Sequence, residues 1–467
     1  MEKRDSLVKN TALLAFGTIL TKGLLFVMVP FFSRWLSTED YGIFDVLCTY
    51  VTLLIPVIGL ASNEALFRFS MDVETKEEKK KYVSNCLAIF TVNSAIIFLV
   101  LLIIRVAFHW ELALCFFLLA IGEVYNMHLR GFLRAIKHID IYSFASAITT
   151  VLIAIFVTIF VRVVGMGLNG IILGYAMGYI IGDLLIVLIT KYWTYLDLRS
   201  ISLSGAKELT KYSIYLVPNS IAWWFINVSD RTIIQLVLGA ASNGIYAIAY
   251  KIPNILSSVF GVFSVSWQQS ATESVNDENR DEYYNKVYNA LIATLLTLCC
   301  GVLSLNSWLF NYIFDARYYA GHLYAPILIG GNVFSTLSQY YGSIQISLKR
   351  PKENGKTTVI GAITNLIVHL ALVRFIGLYA AAISTVISQI VVCAFRYKKL
   401  KKIITVKMNK RSTIYFIIYL CFTASAYFIT NIYFNIISVS FATVLVIYAN
   451  RQFAVKMMNK VMKKVRR

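Results

Sequence analysis

Two residues of opposite charge stand side by side in an apolar run: Asp230 and Arg231, in WWFINVSDRTIIQLVLG (223–239). On the most lenient insertion scale, one charge at the centre of a membrane helix costs about 2.5–3.5 kcal/mol. Two more cations, Lys22 and Lys251, and four more acids, Asp45, Glu64, Glu123 and Asp183, share such settings. Ionisable groups placed like this usually face a bundle interior or a water-filled cavity, where they pair, hold an anion or move an ion. All three roles are open to them, and they can coexist. No covalent chemistry is expected, and with it no catalytic residue, metal site or cofactor.

The elements that must position these residues follow from composition. Of 467 residues, 58% are hydrophobic and 15% charged, against about a quarter charged in soluble domains. Apolar runs long enough to cross a bilayer recur from end to end, while the alternating polarity of a membrane β-barrel is absent. The expected class is an all-α polytopic membrane protein with about 14 transmembrane helices. The spans read roughly as 10–32, 42–66, 83–105, 111–130, 140–162, 168–190, 212–237, 244–268, 287–310, 322–348, 357–375, 378–395, 412–430 and 432–449. The run after Met1–Asn10 is too long for a cleavable secretion signal and lacks a small-residue cleavage site.

With the amino terminus inside, 36 of the 44 Lys and Arg fall in cytoplasmic segments and five on the opposite side. Positive charge near span ends stays inside, so both termini are expected in the cytoplasm. This accounts for the net charge of +20: the basic loops and the tail KMMNKVMKKVRR lie where anionic headgroups attract them, and nucleic-acid binding is excluded for want of a soluble module. The short loops leave no room for a catalytic domain, and there is no P-loop. The seven cysteines all lie in apolar runs without metal-ligand spacing and read as small core residues.

An internal repeat organises the spans. LSTEDYGIFDV (36–46) matches LGAASNGIYAI (238–248) at an offset of 202. AIK (135–137) and SLK (347–349) end spans 4 and 10, and GLNGI (167–171) and GLYAA (377–381) open spans 6 and 12. Two six-helix lobes with the same orientation follow, pseudo-symmetric around a central cavity, with two helices appended. The expected boundaries are an N-lobe over 1–195, a cytoplasmic linker over 196–211, a C-lobe over 212–397, and spans 13–14 with the basic tail over 398–467.

Arg231 and Lys251 each lie seven residues from the outer ends of spans 7 and 8, roughly 10 Å deep, and Lys22 lies roughly 15 Å deep in span 1. A cation-lined pocket for an anionic substrate is one outcome. Structural pairing is the other: Lys251 with Asp230, and Lys22 with Asp45. Asp230 does not face Arg231, because adjacent helical residues project about 100° apart. Glu64 and Arg68 form an i,i+4 pair at the inner end of span 2, beside Asn63, and read as a helix-end salt bridge or an inner gate. Glu123 with Asn126, and Asp183, are deep enough for gating or ion coupling. Spans 7 and 8 also carry Asn219, Trp223, Trp224, Asn227, Gln235, Asn254, Trp267, Gln268 and Gln269, which suit sugar faces and hydroxyls; for Trp267, anchoring at the bilayer border is preferred.

The run Tyr215–Ala271 resembles the Wzx-type polysaccharide flippases of the multidrug/oligosaccharidyl-lipid/polysaccharide (MOP) exporter superfamily. SRWLSTEDYGIFDV (33–46), GLASNEALFRF (59–69) and YYGSIQISLKRPKENGK (340–356) fit the same family. The resemblance implies a multi-pass protein of the bacterial inner membrane that flips undecaprenyl-diphosphate-linked oligosaccharide to the outer leaflet by alternating access. Its partners would be that polyprenyl-linked glycan, with a polysaccharide polymerase and glycosyltransferases beside it. Lys22 matches the cationic first-lobe lumen of related lipid II flippases, and Arg231 and Lys251 fall where the family carries charge in spans 7 and 8. Two rivals remain: a cation-coupled drug or metabolite antiporter of the same superfamily, which favours a lumen dominated by acids, and a membrane-embedded glycan transferase or polymerase, which needs a large external loop.

Overall fold

The computed structural model describes residues 2–70, 72–73, 75–136, 138–427 and 432–465. The side chains of Asn219, Trp223 and Asn227 and of the basic tail from 450 onward lie outside the described ones. Two compact units divide the chain, 1–244 and 245–467. The first holds α1 (Glu2–Trp35), α2 (Thr38–Gly59), α3 (Ser62–Ser70), α4 (Lys76–Phe108), α5 (Ala113–Ala135), α6 (Ile139–Val157), α7 (Gly167–Thr190), α8 (Leu203–Ser213), α9 (Leu216–Leu238) and the first turn of α10 (Ala240–Glu273). The second holds the rest of α10 with α11 (Arg280–Trp308), α12 (Gly321–Ser347), α13 (Pro351–Ile376), α14 (Leu378–Leu400), α15 (Lys410–Ser425) and α16 (Ile432–Val465). Among the described residues there is no strand, and fourteen of the sixteen α-helices answer to the fourteen expected spans, α3 and α8 being the additional two.

Among the described residues, eight helices are long and apolar enough by themselves to cross a membrane. On α4, Val92, Ile96, Leu99, Ile103 and Val106 recur at helical spacing and are each more than half exposed. Such a stripe is untenable in water and at home in hydrocarbon. Helix starts follow local chemistry: Ser37 caps α2 by accepting from the Asp40 amide at 3.0 Å, and Thr75 caps α4 by accepting from that of Glu78 at 3.3 Å.

Span 2, expected as one helix over 42–66, is broken. Leu60 and Ala61 both take positive φ, +48° and +52°, which separates α2 from α3. The break leaves the Ile58 carbonyl for the Asn93 amide of α4, which donates to it at 2.8 Å. The signal was weak because neither residue is a glycine. A second local feature was legible in principle. Gly170, Gly174, Gly178 and Gly182 repeat every fourth residue along α7; a Cβ on Gly174, Gly178 or Gly182 would collide with α6, and one on Gly170 would crowd Phe160 just beyond it. Small residues at this spacing let two membrane helices touch backbone to backbone.

The repeat shows in local geometry. Gly167 and Gly377, in equivalent motifs, have φ of +53° and +57°. Ala135 and Ser347 are the last residues of α5 and α12. The two copies of the first motif pack on one another with exchanged roles: a Cβ on Gly42 would overlap the Ala240 carbonyl, and one on Gly244 would overlap that of Thr38. Thr38 and Ala240 are themselves related by the offset of 202.

Candidate functional site in the first unit

Asp45 lies on the α2 face that also carries Tyr41 and Thr49, four residues to either side, and α9 packs against that face. Arg231 on α9 donates its Nε to Asp45 Oδ2 at 2.7 Å, with side chains 12% and 11% exposed. The setting is tightly specified. Trp224 donates its indole N–H to the Thr49 carbonyl at 2.7 Å and stacks on Tyr50 with ring centroids 5.9 Å apart. Asn243 donates from its amide to the Gly42 carbonyl at 2.9 Å. Asp45, expected as a partner for Lys22, is thus bonded to Arg231, a pairing that lies 186 residues apart in sequence. Asp230 is buried beside it on α9.

A second polar group runs along α5. Glu123, Asn126, Arg130 and Arg134 fall at i, i+3, i+7 and i+11, one stripe of the helix. Asn126 donates its amide to Asp183 Oδ1 of α7 at 2.7 Å, and both residues are buried. Arg130 is within electrostatic reach of Asp183 and of Glu123, and Lys22 of α1 reaches Glu123 as well. Lys22, Arg130, Glu123 and Asp183 are therefore electrostatically linked within the first unit, the two acids and Arg130 at least partly buried and Lys22 exposed. Arg130 was missed at the sequence level because the apolar run ends there. The i, i+3, i+7 spacing of polar residues through that end was the signal for it.

The expected pair of Glu64 with Arg68 is not formed. Glu64 accepts from Arg134 of α5 at 3.1 Å, and Arg68 pairs with Asp72 one turn further on. Each residue has a competing partner: α3 packs on α5, where Glu64 meets Arg134 and Asn63 lies in contact with Gly131, while Asp72 takes Arg68. Arg134 also lies over the Phe67 ring at 4.3 Å, so the inner end of α5 is held to α3 by charge and by aromatic contact.

Lys251 lies on α10 in the second unit and is partly buried. In the same unit Trp267, for which border anchoring was preferred, is a core residue. It is 2% exposed, donates its indole N–H to the Tyr340 carbonyl at 3.1 Å, and stacks on the Tyr340 ring at 4.8 Å. Cys86 contacts Ser62 at 3.4 Å and His128 at 3.6 Å, with Tyr192 on the other nitrogen of that imidazole at 2.7 Å. Cys86 and His128 are completely buried, which leaves no path for a substrate to this thiol. Among the described residues no group of three or more His, Cys, Asp and Glu is placed to hold a metal ion.

This fold is that of the MOP-superfamily transporters, with a polar, charged interior in a multi-pass helical bundle. It aligns with lipid II flippase MurJ in an inward closed conformation at a TM-score of 0.67 and 14% identity, over 97% of this chain and 100% of that one. It also aligns with an inward-facing MATE-family multidrug resistance transporter of the MOP superfamily at a TM-score of 0.59 and 15% identity, over 83% and 95%. Residues 7–268, more than half of the chain, match the polysaccharide biosynthesis protein family, and the chain belongs to that family. A curated relative, the probable low-salt glycan biosynthesis flippase Agl15 of Haloferax volcanii, is 24% identical over 218 residues. That match spans 46% of this chain and 46% of the relative, about half the length of each.

Proposed function

We propose that this protein flips a polyprenyl-diphosphate-linked oligosaccharide, a repeat unit of a surface polysaccharide, across the membrane by alternating access. The observation that carries the reading is the charged region of the first unit, where Arg130 and Arg231 are partly buried and Lys22, more exposed, lies within electrostatic reach of Glu123. A diphosphate or an acidic sugar is what hydrocarbon rejects most strongly, and fixed cations offset that rejection along the path. Lys251 supplies a further cation from the second unit. Family membership and the glycan flippase Agl15 support the substrate class. The proposed site is the bacterial cytoplasmic membrane with both termini inside, as the 36 basic residues of the inner segments favour.

The acids have a separate task in this reading. Glu123 and Asp183 lie close to the cations and would carry the coupling ion or gate the path, with Asn126 orienting Asp183. An antiporter of drugs or metabolites would rest on these acids alone, so charge-neutral variants of the cations discriminate the two. Cells in which Lys22→Ala, Arg231→Ala or Lys251→Ala replaces the wild-type protein at equal level would lose surface polysaccharide. Normal polysaccharide from all three would contradict the anion reading.

A further inference from the structure

The segment Lys191–Tyr215, between α7 and α9, takes no part in the charged interior, and its two faces differ sharply. It makes a single turn of 3-10 helix at Tyr192–Tyr195, another at Leu198–Ser200, and then forms α8. One face is fixed to the unit. Gly205, Leu209 and Ser213 are buried at every fourth position. Asn85 of α4 donates to the Ser200 carbonyl at 2.9 Å and accepts from the Ser202 amide at 3.0 Å, and Ser84 accepts from the Asp197 amide at 2.8 Å. Phe69 of α3 meets Tyr212 edge-on at 5.4 Å.

The rest of the segment mixes large apolar groups with cations. Trp193, Leu198, Leu203 and Tyr215 are 51%, 77%, 88% and 78% exposed, and Lys191, Arg199, Lys207 and Lys211 are exposed as well. Its two acids are turned to other work. Asp197 caps the amide of Arg199 at 3.0 Å, and Glu208 pairs with Lys81 of α4 at 3.4 Å. Leu203, Lys207 and Lys211 form one i, i+4, i+8 stripe on α8.

We propose that α8 and the turns before it are an interfacial anchor for anionic phospholipid. Trp193, Leu198, Leu203 and Tyr215 enter the boundary between headgroups and acyl chains, while Arg199, Lys207 and Lys211 meet the headgroup phosphates. Two observations select lipid as the occupant. The segment is tied at Thr190 and at Leu216 to helices that read as membrane spans, so it cannot leave the bilayer surface. Its exposed charge is mostly basic, Glu208 being paired with Lys81, and is interleaved with aromatic and aliphatic groups, the composition of helices that lie in the interface plane, with the cations extending to the phosphates. Because its other face is bonded to α3 and α4, lipid held here steadies the ends of those two helices.

The test uses the full chain in phosphatidylcholine vesicles with or without phosphatidylglycerol. An environment-sensitive dye is attached at Leu203→Cys, and the wild-type chain labelled in parallel corrects for the native thiols. The expected result is quenching by spin-labelled lipid and protection from aqueous iodide. Phosphatidylglycerol that copurifies with the protein should fall about fivefold for each cation removed in R199A/K207A/K211A. Should that triple variant be lost, K207Q and K211Q make the same comparison singly. Free quenching by iodide, shielding from both quenchers (the mark of a protein partner), or unchanged phosphatidylglycerol would each overturn the assignment.

Discussion

Arg231 on α9 donates to Asp45 on α2 at 2.7 Å, with about nine-tenths of each side chain covered. The pair is therefore a desolvated ion pair, and its value differs from that of a surface bridge. Removing one partner of such a pair typically costs about 3–5 kcal/mol, because the other charge is left buried and uncompensated. Asp45→Ala and Arg231→Ala should each lower the melting temperature in detergent. The double variant should recover more than half of that loss. A double variant as unstable as the sum of the singles would contradict the pairing.

Gly42 and Gly244 should tolerate no side chain. Alanine at either position forces apart two backbones that now touch, and overpacking typically costs about 1–3 kcal/mol. Gly301, in the second unit on α11, has open space around it, so Gly301→Ala should stabilise by about 0.5–1 kcal/mol through helix propensity. Thermal melting of the three variants side by side checks the contrast, which vanishes if the close approach is not real.

The left-handed pair Leu60–Ala61 stores strain at the α2–α3 break. A non-glycine residue in this conformation costs roughly 1–2 kcal/mol. Ala61→Gly removes only a methyl group and should be neutral or stabilising in a melt, whereas Ala61→Val should be strongly destabilising. Equal effects of the two would argue for a continuous helix over this stretch.

Asn126 is the neutral donor to Asp183, and the two should separate folding from transport. Asn126→Ala leaves a buried carboxylate without its donor and should cost about 1–3 kcal/mol. Asp183→Asn preserves the shape and should melt near the wild type while losing ion-coupled transport. Full transport by Asp183→Asn in vesicles would assign Asp183 a purely structural role.

Much of this organisation can be read from sequence, for definable reasons. Fourteen long helices follow from apolar run length, and the repeat follows from Gly42/Gly244 and Gly167/Gly377, whose backbone roles are local. What escapes is long-range or short. Nothing near Asp45 announces Arg231, because their meeting depends on how α2 and α9 pack. Glu64 takes Arg134 and not Arg68 because α3 packs on α5, a contact 70 residues away in sequence. The eleven-residue α8 escapes hydropathy altogether, since only every fourth residue is buried. Arg130 is the last residue of its apolar run and so draws no notice there, although its spacing from Glu123 and Asn126 puts it on their face.

The central claim is that interior cations carry an anionic lipid-linked glycan, and flipping in proteoliposomes tests it most directly. Vesicles holding the wild-type chain or its Lys22→Ala, Arg231→Ala or Lys251→Ala variant would be loaded with a fluorescent polyprenyl-diphosphate oligosaccharide, with Asp45→Ala as the control for the broken ion pair. A charge-assisted contact is worth about 1.5–3 kcal/mol, so Lys22→Ala and Lys251→Ala should each slow flipping at least about tenfold, and Arg231→Ala should slow it well beyond Asp45→Ala. Wild-type rates in all three cation variants, at equal protein per vesicle, would contradict the account.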